Sequence, residues 1–290
     1  MRYNAPRGVG DGDWFCGGGR SVRTIAVVNQ KGGTAKSTTA VNLAATLAEK
    51  KRRVLLMDLD PQHSATDWLL GVDADVGKGV FVVIGENGNV SDVAHETPME
   101  GVDLVPSSSW LVGAEKALAG EVGAETILRR KLRSEAGSIA SPSGESSAGG
   151  YDYVLFDCPP QLGILTVNAL VAADEVLVPV EAHVMALSGL AQLVETVDLV
   201  KERLNPDLEI TGILACRVDA RTRHAGEVVG HLRERFGDVV FSTVIRENVR
   251  LAEAPSFREP ITTYDPKSAG AEDHRALARE VMLQENGRGG

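Results

Sequence analysis

Thr24-Ile25-Ala26-Val27-Val28, followed directly by Asn29-Gln30-Lys31-Gly32-Gly33-Thr34-Ala35-Lys36-Ser37-Thr38, is the stretch on which the fold turns. The first five residues are an apolar, largely β-branched run, as a strand buried on both faces requires. After the loop comes Thr39-Ala40-Val41-Asn42-Leu43-Ala44-Ala45-Thr46-Leu47-Ala48, which reads as an amphipathic helix. Strand, glycine-rich turn and helix, in that order, form the context of a phosphate-binding loop. Gly32 and Gly33 let backbone N–H groups turn inward around an anion. The positive end of the helix adds to that field. Within the loop, Gly32, Gly33, Thr34, Ala35, Lys36, Ser37 and Thr38 are the expected nucleotide contacts. Lys36 is placed to reach the β- and γ-phosphates, and the Ser37 hydroxyl to ligate Mg²⁺. The loop departs from G-x-x-x-x-G-K-[ST] at Gln30 and Ala35, and it carries an additional cation, Lys31. Taken alone, Lys31 reads as a solvated surface charge.

Working outward, strand-like runs recur at 23–28, 53–58, 102–106, 152–157, 175–180, 209–217 and 239–245. Helical patterns lie between most of them, at 37–50, 111–119, 122–134, 164–172, 187–204, 222–236 and 269–284. Such alternation predicts an α/β fold: one domain over residues 21–286, with a mostly parallel twisted sheet and helices on both faces. Right-handed crossovers then bring the functional loops to the carboxyl ends of the strands. Residues 71–101 show no firm element. Residues 134–150 are rich in Ser, Gly and Ala and read as a flexible insertion. Residues 1–20, rich in Gly with scattered charge, read as a disordered tail without the apolar core of a signal peptide.

Composition narrows the class. Of the 290 residues, 43% are hydrophobic but only 4% aromatic, so the core rests on Val, Leu, Ile and Ala. The net charge of −10 excludes a protein that coats nucleic acid over its whole surface, though not a local basic face. The cysteines, Cys16, Cys158 and Cys216, contain no C-x-x-C pair. They imply neither a disulfide framework nor a zinc site, and a reducing cytoplasm fits. No apolar run is long enough to cross a membrane.

Two strand ends carry acids. Asp58 and Asp60 close the run Arg53-Val54-Leu55-Leu56-Met57, and strand alternation turns both toward one side. In isolation they read as solvated strand-end carboxylates; the phosphate loop favours the phosphate side instead. Asp157 follows Tyr153-Val154-Leu155-Phe156, the position of an acid that holds Mg²⁺ directly or through water. Capping of the turn at Pro159-Pro160 is the competing reading.

With these motifs together, the chain resembles the ParA/Soj-type partition ATPases, which share the deviant Walker A loop with MinD and the nitrogenase iron protein. The likeness runs from about Arg23 to about Met282. It rests on residues 29–36, on Leu-Met-Asp-Leu-Asp-Pro-Gln at 56–62, and on Tyr-Asp-Tyr-Val-Leu-Phe-Asp-Cys-Pro-Pro at 151–160. Leu-Thr-Val-Asn-Ala-Leu at 165–170, Asn-Val-Arg-Leu-Ala-Glu-Ala-Pro-Ser at 248–256 and Tyr-Asp-Pro-Lys-Ser-x-Gly-Ala at 264–271 complete the set in the family's order. The resemblance implies a P-loop NTPase that uses ATP and Mg²⁺. It makes Lys31 the signature lysine, acting across the interface of an ATP-bound homodimer. It gives Asp60 the attacking water and sets Asp58 near the metal. Asn248 matches the family's adenine-contacting turn, although Arg246 and Glu247 replace the usual Pro-Arg before it; as a residue, Asn248 reads equally as a turn former.

Between Arg217 and Arg250 stand seven arginines and five acids. By resemblance, Arg221 and Arg250 bind DNA non-specifically once the dimer forms; an ordinary solvated helix face is the plain alternative. The implied partners are a second copy, DNA and a ParB-like adaptor, with a cytoplasmic, nucleoid-associated location. A nucleotide-dependent scaffold with little turnover and a MinD-like membrane-cycling ATPase are the rival readings. The C-terminal segment lacks a basic face opposite bulky apolar residues, which speaks against the membrane.

Overall fold

In the computed structural model, residues 22–118, 120–140, 150–183, 186–219 and 221–285 are described. The expected tail at 1–20 and residues 141–149 of the expected insertion lie outside them.

Chain order begins with β1 (Arg23–Val27), α1 (Lys36–Glu49), β2 (Val54–Asp58), α2 (Ser64–Leu69), α3 (Val80–Gly85), β3 (His95–Glu96) and β4 (Val102–Val105). It continues with α4 (Leu111–Leu118), α5 (Ile127–Ser134), α6 (Ala136–Ala140), β5 (Tyr153–Asp157), α7 (Ile164–Ala172), β6 (Glu175–Glu181) and α8 (Ala186–Arg203). It closes with β7 (Glu209–Val218), α9 (Arg223–Phe236), β8 (Val240–Arg246), α10 (Val249–Glu253), α11 (Ile261–Tyr264) and α12 (Ala269–Leu283). The strands form one sheet in the order β3-β4-β2-β5-β1-β6-β7-β8. Every pairing is parallel except β3 with β4.

Alternation along β1 explains how a continuous apolar run builds two cores. Ile25 and Val27 face a layer of Leu43, Ala44 and Leu47 from α1 and Leu277, Ala278 and Val281 from α12. Ala26 and Val28 face the opposite layer, with Leu165, Ala169 and Leu170 of α7 and Leu128 and Leu132 of α5. Two helical layers thus remove both faces of the sheet from water, each fully buried Leu contributing about 1.5–3 kcal/mol. At the amino ends of the strands, Arg23 forms a bidentate pair with the buried Glu175 and donates to the Val281 carbonyl at 2.6 Å. That contact ties α12 onto the sheet.

The seven expected strands and the long helices are present, and three differences stand out. Residues 71–101, expected to be irregular, contain α3 and β3. Val80-Phe81-Val82-Val83-Ile84 is apolar throughout, so no helical period is visible in it. Burial of Val80, Val83 and Ile84 against the core overrides the weak helix propensity of β-branched residues. The insertion expected from 134 starts later, because Ala136–Ala140 is helical and Ile139 is buried. Short helices α10 and α11 occupy a stretch without an expected element; α11 packs beside α1, where buried Asn42 accepts the Ile261 N–H at 2.8 Å, and α10 packs on α11.

Candidate nucleotide site

β2, β5 and β1 lie side by side at the centre of the sheet, so the loops leaving their carboxyl ends converge. Parallel register sets Asp157 between Val27 on β1 and Asp58 on β2. The glycine-rich loop rises from β1 over this point and enters α1.

The loop is held by its own side chains. Asn29 Nδ2 donates to the Pro179 carbonyl on β6 at 2.6 Å, and Asn29 Oδ1 accepts the Lys31 N–H at 3.0 Å. Thr34, buried, donates its hydroxyl to the Lys31 carbonyl at 3.1 Å. Gly33 has φ 78° and Ala35 φ 64°, so both lie in the left-handed region. That conformation costs a residue with a Cβ about 1–2 kcal/mol. It turns the chain into α1 with Ala35 as the first cap, and no side chain caps the helix. The first-turn N–H groups therefore lack an intrahelical partner, as an anion site requires. A Cβ built on Gly32 or Gly33 meets no atom within 4 Å, so the loop's rim is open.

Lys36 lies under this rim, 7% exposed, with Nζ 3.4 Å from the Lys31 carbonyl. Burial lowers its pKa, and the carboxylates of Asp157 and Asp60 oppose that fall. Asp157 is fully buried, and neither oxygen completes a hydrogen bond with the protein. Burial raises its pKa well above the carboxylate range, the adjacent Asp58 adds to the rise, and the nearby Ser37 hydroxyl tempers it. Two buried acceptor oxygens without donors beside a half-buried serine hydroxyl suit a hard cation. Among the described residues no three His, Cys, Asp or Glu side chains form a metal cluster of their own. A cation here would complete its shell with phosphate oxygens and water, the habit of Mg²⁺.

Asp58, expected near the metal, has both oxygens engaged by protein donors. Its Oδ1 accepts the Asp60 N–H at 3.1 Å, and its Oδ2 accepts the Thr66 N–H and hydroxyl at 2.9 and 2.8 Å. These donors make it the anchor of α2, and burial still pushes its pKa up to about 6. Alternation put Asp58 and Asp60 on one side; Thr66, eight residues downstream, was not foreseeable from that pattern. Asp60, 8% exposed, accepts the Gln62 N–H at 2.9 Å, and its carbonyl accepts the Ser107 hydroxyl at 2.6 Å. The buried Cys158 keeps its thiol protonated, its pKa raised by burial and by Asp157.

The other expected residues sit on the neighbouring strands' exits. Asn248 caps α10, its Oδ1 accepting the Arg250 N–H at 2.8 Å, so the turn-forming role is the one its contacts display. Arg246, the departure before it, is bidentate to Asp273 and binds β8 to α12. Arg221 follows β7 and is 87% exposed, with Nε and Nη2 on Asp219 at 2.8 and 2.9 Å. Arg250 follows β8, 58% exposed, 3.0 Å from Glu253. Val218 and Arg246 are register partners, so both arginines leave the same edge of the sheet.

Comparison with known proteins decides the family. A family profile described as AAA domain matches residues 22–210. The chromosome-partitioning ATPase Soj of Thermus thermophilus is 48% identical, over 91% of this chain and 96% of that protein. The sporulation initiation inhibitor protein Soj of Bacillus subtilis is 44% identical, over 89% of this chain and 98% of its own. The chain belongs to the ParA/Soj family of P-loop ATPases. Among solved structures, this ParA/Soj chain is similar to cobyrinic acid a,c-diamide synthase from Mycobacterium smegmatis, crystallised with ADP and magnesium. That likeness has a TM-score of 0.75 and 34% identity, covering 91% of this chain and 96% of the other. Two contacts of this site were missed in the sequence: the Asn29 brace, which follows an ordinary strand end, and Glu181, which faces Lys31 from the end of β6.

Proposed function

We propose that this chain is a Mg²⁺-dependent ATPase of the partition type, in which ATP pairs two copies and the pair binds DNA without sequence preference. The observation that carries the reading is a buried lysine, Lys36, opposite a buried carboxylate without donors, Asp157, at the mouth of an uncapped 14-residue helix. Such a site is electrostatically incomplete until it receives phosphate and a divalent cation. Lys36 and the backbone of 32–37 hold the phosphates. Ser37 and Asp157 hold Mg²⁺, which when bound neutralises phosphate charge. Asp60 orients the attacking water, phosphoryl transfer needing little beyond alignment and charge. Asn248 borders the base. Lys31 of each copy reaches the nucleotide of the other.

Pairing doubles the phosphate contacts offered by Arg221 and Arg250, which makes DNA binding depend on the nucleotide. Hydrolysis, stimulated by a ParB-like adaptor, releases the DNA, and the cycle serves segregation of a plasmid or chromosome or placement of another cargo on the nucleoid. Among the described residues no helix is long and apolar enough to cross a membrane. Binding to non-specific duplex DNA, measured with ATP, with ADP and without nucleotide at low salt, tests the proposal. Retention with ATP and Mg²⁺ alone is expected; equal binding in all three conditions overturns the gating.

A further inference from the structure

Lys31 is engaged within its own subunit. Its Nζ lies 3.0 Å from Glu181 Oε2 at the end of β6, the strand beside β1. The approach is built from buried parts: the Asn29 side chain clamps the loop to Pro179, two residues before Glu181 on the same face of β6, and also fixes the Lys31 N–H. Arg217 on β7 comes within 3.7 Å of the other Glu181 oxygen, from a backbone in the left-handed region (φ 54°). The hydrogen bond from Lys31 holds the Glu181 carboxyl below its ordinary pKa, against desolvation, and the Arg217 charge helps. Glu181 is therefore a carboxylate at neutral pH. The pair is also half open to water, the side chains 52% and 28% exposed, so it is weak enough to exchange.

We propose that Glu181 is a positioning residue that stores Lys31 in its own subunit and sets the nucleotide concentration at which two subunits pair. The inference rests on the reading of Lys31 as the cation that reaches a second copy's nucleotide. One ammonium on a short loop cannot serve both anions. A carboxylate offers one negative charge and a terminal phosphate roughly 1.5–2, so the exchange runs forward once a triphosphate is presented by the other copy. Arg217 remains to balance Glu181 after Lys31 has left.

Sedimentation velocity of the full chain, titrated with a non-hydrolysable ATP analogue and Mg²⁺, reads the threshold. A fluorescent nucleotide reads the affinity of the monomer separately. Glu181→Gln is expected to pair at roughly three- to tenfold lower analogue concentration, the effect of releasing two half-exposed ion pairs, with monomer affinity unchanged. Arg217→Ala is expected to raise the threshold, because Glu181 then loses the charge that balances it when Lys31 leaves. Glu181→Ala repeats the first measurement should the glutamine variant melt early. A wild type that pairs with the analogue, combined with unshifted glutamine and alanine variants, overturns the latch and leaves the cross-subunit reading standing. A wild type that binds the analogue but never pairs overturns both.

Discussion

Asp58 and Asp157 occupy register-matched positions on neighbouring parallel strands, both fully buried, yet one carboxylate receives three hydrogen bonds and the other receives none. The asymmetry separates a scaffold carboxylate, which ties α2 to the sheet, from one left open for a ligand.

This arrangement makes Asp157→Asn stabilising in the nucleotide-free protein. A carboxyl whose folded pKa is raised binds its proton more tightly in the fold, so its contribution falls as pH rises. For Asp58 the window opens near 3.8 and closes near 6, and Asp157 extends it upward. Removing one of the two adjacent charges should raise stability by about 1–3 kcal/mol above pH 7, roughly 2–6 °C in Tm. The gain should vanish toward pH 4. Thermal melts across pH 4–8 check this, and the same variant should lose the stabilisation that ATP with Mg²⁺ gives the wild type.

Thr66→Val removes the hydroxyl that donates to Asp58 and accepts the Ser107 N–H at 2.9 Å. It should cost about 1–3 kcal/mol, with hydrolysis impaired more than nucleotide binding, since Asp60 is carried by the same turn. Denaturant titration and separate binding and turnover assays distinguish the two effects; a fully active, equally stable variant would contradict the anchoring role.

Ala35→Gly tests the strained loop. Glycine adopts φ 64° without steric conflict, and the relief of about 1–2 kcal/mol is partly offset by the greater freedom of glycine in the unfolded chain. A net gain of up to about 1 kcal/mol is expected, with nucleotide affinity retained. A loss of stability in urea would mean that the Ala35 methyl group packs more favourably than its backbone suffers.

Asp60→Ala should arrest the cycle with ATP bound and two copies paired, whereas Lys31→Ala should bind ATP and stay monomeric. Light scattering with ATP and Mg²⁺ reads both directly. A monomeric Asp60 variant, or a Lys31 variant that pairs normally, removes the role assigned to that residue.

Arg221 is neutralised by Asp219 in the free subunit. Arg221→Glu should weaken ATP-dependent DNA binding at low salt and reduce the salt slope by about one per subunit. Asp219→Asn should strengthen it. ATP affinity should be unchanged in both, and fluorescence anisotropy at several salt concentrations makes the comparison.

The core of the fold was legible because its signals are local. An apolar run of five residues before a glycine turn specifies β1, and the period of 164–172 returns as α7 with the same bounds. The elements missed were those whose conformation is set by burial: α3, with no polar face to reveal a period, and β3, two residues long. In the site, Lys36, Asp60 and Asp157 were singled out in the sequence, and the fold brings them together. Thr66, Ser107 and Glu181 were not, because their partners lie 8, 47 and 150 residues away in the chain.

The sequence by itself determined the phosphate loop, the order of strands and helices and the acids at the strand ends, since each depends on residue type and short-range periodicity. Only the tertiary structure decided which acid is saturated and which is open, that Arg246 is bound to Asp273, and that Lys31 rests on Glu181. Hydrogen-bond partners and desolvation are properties of the neighbours that packing brings together, and nothing in the identity of an aspartate or a lysine states them in advance.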